Sequence, residues 1–276
     1  MTDRAAPIQG AKPYVPILMY HEIAASPDTK SRLAVPPDKF AAQVEYLHDA
    51  GFTALTFTEA ARALAGDPGQ LPARPVVLTF DDGYADFHSQ ALPVLDKFGF
   101  TATVFVTTGW IADAGQHAAG TALGPMLAWG QIRELAMAGV EIGAHSHGHP
   151  QLDQISRSQL RDELTTPKDL LEEGIGQPVP SVAYPFGYSS AQVRQAVGAA
   201  GYRHACAVAN ATARPGADEF AVPRLTVRAS TRPQTFERVV RGGQESTIYL
   251  KDHALTKGFA VVRRTKAVIG GISRSA

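Results

Sequence analysis

Eight short apolar runs punctuate the chain, most of them followed by enough polar-patterned sequence for a helix, and this alternation constrains the fold more than any other feature. The runs fall at residues 15–20, 53–56, 76–80, 103–106, 141–144, 181–184, 204–208 and 222–227. Strands separated by helices pair in parallel, because a parallel pair needs a long crossover and a helix supplies it. Repetition through six or more such units favours a closed sheet over an open one. The expected class is therefore α/β, with a distorted, TIM-like (β/α)7–8 barrel. A chain of 276 residues suits one such domain. It divides into a flexible tail at 1–13, a folded domain at 14–250 and a C-terminal extension at 251–276.

The intervening segments carry helix signals. Residues 39–50 place Phe40, Val44 and Leu47 on one face and stop at Gly51. Thr56 with Glu59 has capping-box spacing, as does Ser189 with Gln192. Leu160, Leu164 and Leu171 mark a third helix, in which Pro167 predicts a break or kink. The alanine- and glycine-rich stretch 110–125 has no period and reads as a long loop after the fourth strand, on the face where barrels carry their sites.

Composition narrows the partners. Basic and acidic residues both number 26, which gives no electrostatic reason for nucleic acid to bind. A single cysteine, Cys206, excludes an internal disulfide framework and a cysteine-rich zinc module, so any metal must be held by histidine and carboxylate. The N-terminus lacks the apolar core of a secretory signal and no run approaches the ~18 residues of a membrane span, so a cytoplasmic location is expected. Arg263, Arg264, Lys266 and Arg274 lie among apolar residues near the C-terminus. That segment reads as a terminal helix packed on the barrel or a frayed tail, or else as a basic surface for peripheral membrane contact. Nothing in the pattern fixes an oligomeric state.

Two segments carry candidate chemistry. In VVLTFDDGY, residues 76–84, adjacent aspartates follow a strand. From mid-strand they would face opposite ways, but at a strand end before Gly83 both can enter one site. Asp81 and Asp82 then offer two carboxylates, one for a metal and one as a base. An Asp-Asp-Gly surface turn is the plain alternative. In EIGAHSHGHP, residues 141–150, His145 and His149 stand four apart after another strand, a spacing that juxtaposes imidazoles across a helical turn. With one carboxylate they make a site that leaves positions open for water and substrate. His147 faces away by period.

These segments, in this order, resemble the NodB-homology polysaccharide deacetylases of carbohydrate esterase family 4. TFDDG resembles the family's first motif, and His145, Ser146 and His149 its second; TATVFVTTGW and AYPFG extend the likeness, which covers residues 14–228. The resemblance implies that Asp82, His145 and His149 bind one divalent ion, zinc (Zn2+) first, with Co2+, Ni2+ or Mn2+ as alternatives. It further implies that Asp81 is the base, that Ser146 braces the histidine loop, and that the backbone amide of Phe186 stabilises the oxyanion. Tyr84, Pro185 and Tyr188, flanking these motifs, are the expected substrate contacts.

The chain also departs from the pattern. The arginine that opens the third motif is replaced by Ala183, and Arg224 is a candidate substitute for positioning the base, although an ordinary surface ion pair would explain it too. No Leu-x-x-His motif supplies a general acid: His253 is too far along the chain and His204 opens a strand. His21, in ILMYHEI, ends the first strand and is similar to the Tyr-His of the branch acting on poly-β-1,6-N-acetylglucosamine. It is the candidate proton donor or substrate contact, with a structural role as the alternative. The function these features imply is removal of acetyl from an N-acetylated amino sugar, whether a glycan, a lipid- or nucleotide-linked intermediate, or a secondary-metabolite sugar. The alternatives are hydrolysis of a non-sugar amide and a catalytically silent glycan-binding barrel, the latter marked by loss of Asp81 or a ligand.

Overall fold

A computed structural model describes residues 13–24, 33–242 and 245–249. The first twelve residues of the expected tail, and the C-terminal extension with its basic segment and His253, lie outside the described residues.

The eight expected strands are all present, several of them shorter than expected: β1 (Ile17–Tyr20), β2 (Thr53–Leu55), β3 (Pro75–Phe80), β4 (Thr103–Val106), β5 (Glu141–Ala144), β6 (Ser181–Ala183), β7 (His204–Cys206) and β8 (Leu225–Thr226). Every strand pair is parallel, in the order β7-β6-β5-β4-β3-β1-β8, with β2 against the start of β3. The two ends of the sheet approach each other through residues 222–226. Val222 bridges Cys206 of β7, while Leu225 pairs with Leu18 of β1. The result is a curled (β/α) barrel rather than an open sheet.

Strand parity assigns each side chain to one of two cores. Leu18, Tyr20, Val76, Leu78, Phe80, Val104, Val106, Ile142, Val182 and Ala205 pack outward against the helices. The alternate residues Ile17, Val77, Phe105, Ala183 and Cys206 fill the interior. Burial on both faces explains why β3, PVVLTF, is apolar throughout apart from its threonine rather than alternating. Phe105 crosses the interior so closely that a Cβ on Gly143 would lie 2.5 Å from its ring, which makes glycine obligatory there.

The helices are α1 (Pro37–Asp49), α2 (Phe57–Ala65), α3 (Leu92–Phe98), α4 (Trp129–Met137), α5 (Arg157–Ile175), α6 (Ala191–Ala199), α7 (Pro233–Val240) and α8 (Glu245–Ile248). The capping box at Thr56 and Glu59 opens α2, whose Phe57, Ala60, Ala61 and Leu64 seal the N-terminal end of the barrel. There Glu141 accepts hydrogen bonds from the Thr58 amide, at 2.9 Å, and from the hydroxyls of Thr58, Thr103 and Ser181.

Two helix expectations need correction. The cap of α6 is Ser190, not Ser189: its hydroxyl accepts from the Val193 amide and leaves Gln192 outside any box. Of the break or kink expected at Pro167, the break does not occur: α5 runs through it for 19 residues. Pro167 removes one backbone donor but buries its ring among the apolar residues of the helix, which offsets that loss. The unperiodic stretch after β4 is a loop, tightened by short turns at Thr108–Trp110 and Gly115–His117.

Candidate active site

The parity that fills the barrel also aims the chemistry. On β3 the inward positions Val77 and Thr79 lead to Asp81, and on β5 the inward Gly143 leads to His145, so both point along the axis at the C-terminal end. Asp82 would face outward if the strand continued. Instead its φ of 75° lies in the left-handed region, and the chain turns before Gly83. That reversal brings two adjacent carboxylates into one site.

Asp82, His145 and His149 converge. Asp82 Oδ1 lies 3.4 Å from Nε2 of His145 and 3.4 Å from Nε2 of His149, and the three ligand atoms all fall within 4.8 Å of one another. The His145 ring is oriented by Nδ1, 2.9 Å from the Ala183 carbonyl, which leaves Nε2 facing the cluster. Asp82 Oδ1 is buried with no hydrogen-bond partner among the described residues. Burial, then the charge of Asp81, push the Asp82 carboxyl up to about 8, and burial brings His149 down to about 3. An unsatisfied buried oxygen facing two neutral imidazole nitrogens is a donor set that fits a divalent cation, whose charge would reverse the cost to Asp82.

The two histidines meet by a different route from the helical turn that their spacing suggests. Residues 145–149 form a loop in which Ser146 and His149 have φ of 64° and 60°. The Ser146 hydroxyl accepts from the His149 amide at 3.0 Å. His147 is turned aside, its Nδ1 2.8 Å from the Thr108 hydroxyl.

Asp81 stands beside this cluster in the grip of Arg224. Nη1 donates to Oδ1 at 2.6 Å, Nη2 donates to Oδ2 at 2.7 Å, and Nη1 also reaches the Thr79 hydroxyl at 3.0 Å. The arginine is 0% exposed, which replaces the surface ion-pair reading. It precedes β8 and sends its side chain through the barrel interior, its guanidinium 5.6 Å from the Phe105 ring. Burial alone would raise the Asp81 carboxyl, but Arg224, reinforced by His145 and His21, holds it well below the usual carboxylate range. Both its oxygens accept from a guanidinium that stays charged, the geometry of an ionised carboxylate.

His21 follows β1, with Nε2 4.0 Å from Asp81 Oδ2 and Nδ1 buried without a partner among the described residues. Burial outweighs the attraction of Asp81 and lowers its imidazole to about 4. His204 sits at the opposite, N-terminal end of its strand, 3.8 Å from Glu219.

Aromatic rings wall the mouth. Trp110 and Phe186 each lie 4.8 Å from the His149 ring, and Tyr188 stacks beyond Phe186 at 6.3 Å. Phe186 is 51% exposed, whereas Tyr84 is 3% exposed and packed with Trp110 and Met126. Pro185 is buried. Of the three expected substrate contacts, only Tyr188 is partly exposed. Sequence reasoning missed Trp110 as the second wall of His149, and the exposed Phe186 ring as a surface. The TTGW run after β4 was the available signal for the first.

The profile of the polysaccharide deacetylases matches residues 69–205. The Bacillus subtilis (strain 168) protein YxkH, whose name places it among polysaccharide deacetylases, is 32% identical over 216 residues, spanning 78% of this chain and 70% of its own. This chain belongs to the polysaccharide deacetylase family. As a member it is a hydrolase, and the four groups whose loss would mark a silent deacetylase barrel, Asp81, Asp82, His145 and His149, are all present. The poly-β-1,6-N-acetyl-D-glucosamine N-deacetylase of Staphylococcus aureus (strain MRSA252) is 25% identical over 205 residues, covering 70% of this deacetylase and 68% of the relative. Among solved structures, the Streptococcus pyogenes deacetylase PplD in complex with acetate superposes with a TM-score of 0.74 at 29% identity, covering 83% and 99% of the two chains. IcaB from Ammonifex degensii gives 0.68 at 25% identity, covering 84% and 97%.

Proposed function

We propose that this deacetylase hydrolyses the acetamide of an N-acetylated amino sugar to the free amine and acetate, using one divalent ion held by Asp82, His145 and His149. The observation that carries the reading is the orphaned Asp82 oxygen facing two histidine nitrogens beside an Asp81 clamped by Arg224. Two relatives support the substrate class: one is named for poly-N-acetylglucosamine deacetylation and another was solved with acetate. Zinc is the expected ion, because histidine and carboxylate in a three-ligand set suit it.

When bound, such an ion polarises the acetamide carbonyl and makes water nucleophilic near neutral pH. Asp81, kept anionic and oriented by Arg224, takes a proton from the attacking water. The Phe186 amide donates to the oxygen that gains charge as water adds to the carbonyl. Collapse breaks the carbon–nitrogen bond, and His21, neutral at rest and beside Asp81, receives the proton that Asp81 took from water and passes it to the departing amine, which returns both groups to their starting states. Phe186 and Tyr188 offer ring surface for a pyranose at the mouth.

Amine release from a panel of N-acetylglucosamine oligomers, the free monosaccharide and a non-sugar acetamide tests the reading. Turnover of the sugars well above that of the simple amide is expected. Preference for the non-sugar amide would contradict it.

A further inference from the structure

The loop that carries His145 and His149 is held from behind by a residue outside every motif. Glu163, on α5, accepts two hydrogen bonds with one carboxylate oxygen: from the His147 amide at 2.9 Å and from the Gly148 amide at 2.7 Å. These are consecutive amides at the centre of the loop, and their common acceptor holds the N–H side of both peptides, whose carbonyls are taken by the Thr108 and Gly109 amides. The loop needs such a restraint. Ser146 and His149 are non-glycine residues in the left-handed region, a conformation that persists only where surrounding contacts over-determine it.

The other contacts take the loop's carbonyls, its outer amides and one ring. The His145 amide donates to the Val106 carbonyl and the His149 amide to the Ser146 hydroxyl, the Thr107 hydroxyl and the Thr108 and Gly109 amides donate to the carbonyls of His145, Ser146 and His147, and Thr108 engages the His147 ring. None of them holds the amides of His147 and Gly148. The fit against the helix is close: a Cβ on Gly148 would stand 3.1 Å from the second Glu163 oxygen. The α5 axis is in turn fixed to the barrel by Leu160 and Leu164, both buried in the outer core, so the carboxylate is presented from a rigid element.

We propose that Glu163 is a positioning residue of the metal centre, its carboxylate locking the 145–149 loop so that both imidazoles face Asp82. The proposal rests on the metal-centre reading above. It does not place Glu163 in contact with ion or substrate. Its role is to pre-form the donor set, and its loss should appear first in affinity for the ion.

The test is direct titration of metal-stripped full-length protein with Co2+ alone, followed by its absorption spectrum, beside hydrogen exchange of the peptide covering residues 145–150. Glu163→Ala should bind Co2+ about 10- to 100-fold more weakly and exchange the loop amides faster, with the thermal midpoint of the stripped protein little changed. Glu163→Gln keeps an oxygen acceptor and should stay within about 5-fold of the wild type. Should Glu163→Ala fail to fold, Glu163→Asp keeps the charge but withdraws the carboxylate by one methylene, and the same weakening is expected. Wild-type affinity in Glu163→Ala or Glu163→Asp overturns the proposal alone. So does an equal loss in the alanine and glutamine variants, which would place the effect in charge rather than in the loop. A wild-type chain that takes up no ion overturns the metal-centre reading and this proposal together.

Discussion

Arg224 and Asp81 form a two-point ion pair across 143 positions of sequence, with Nη1–Oδ1 at 2.6 Å and Nη2–Oδ2 at 2.7 Å and neither side chain more than 3% exposed. Fork-to-fork geometry fixes the carboxylate plane as well as its charge. Removing one partner strands the other in the barrel interior. Arg224→Met and Asp81→Leu should each cost about 3–5 kcal/mol of stability, and the double variant should recover most of that loss. Denaturant unfolding of the four proteins checks the cycle; additive losses in the double variant would show that the pair is not a coupled unit.

Asp81→Asn separates base from ligand. The amide keeps the shape of the carboxylate but cannot take a proton, so turnover should fall about 100-fold or more while ion binding through Asp82, His145 and His149 persists. Steady-state rates with metal content per chain decide this. Unchanged turnover would move the base role to another group, with His21 the nearest.

His21 makes two measurable differences. If it relays the proton, His21→Gln should depress hydrolysis of an acetamide more than that of an activated ester, whose leaving group needs less protonation. It also links stability to pH. Burial lowers its pKa from 6.5 to about 4, so between those values the unfolded chain binds a proton that the fold refuses. Stability contributed by neutral His21 is therefore present above pH 6.5 and lost as pH falls towards 4. The unfolding free energy of the metal-free wild type should decline relative to metal-free His21→Gln across that window. A constant difference would place His21 in water.

Phe186 separates substrate binding from chemistry. Its backbone stays in place in Phe186→Leu, since only the ring is lost. The variant should raise KM for an N-acetylated oligosaccharide several-fold, the scale of one lost ring contact, with little change in kcat. A kcat loss of the same size would mean that the ring acts through His149, which it touches.

Much of this was legible in the chain because strand parity is strict. All eight strands follow from the apolar runs and the helical stretches between them, and parity then turns Asp81 and His145 inward after β3 and β5, while their roles come from the family resemblance. What parity cannot show is the left-handed turn at Asp82, or the loop that brings His149 back: both depend on contacts made only in the folded barrel. Arg224 was visible as a charge near a strand but not as a buried one, because burial comes from barrel closure between residues 222–226 and β1. Pro167 misled for a related reason: local propensity predicts a break, whereas burial of α5 along the barrel holds the helix together. Tyr84 flanks the first motif and so suggested a substrate contact, and its packing against Met126 and Trp110, which leaves it 3% exposed, could not be read from that position.

The central claim is that Asp82, His145 and His149 form one ion site on which deacetylation depends. Titration of metal-stripped protein with Zn2+, paired with amine release from an N-acetylglucosamine oligomer at each point, tests it most directly. Activity should rise in step with uptake and saturate at one ion per chain, and Asp82→Ala and His145→Ala should abolish both while retaining the fold by circular dichroism. Full deacetylase activity in the stripped protein, or tight uptake that survives loss of Asp82 and His145, would contradict the account.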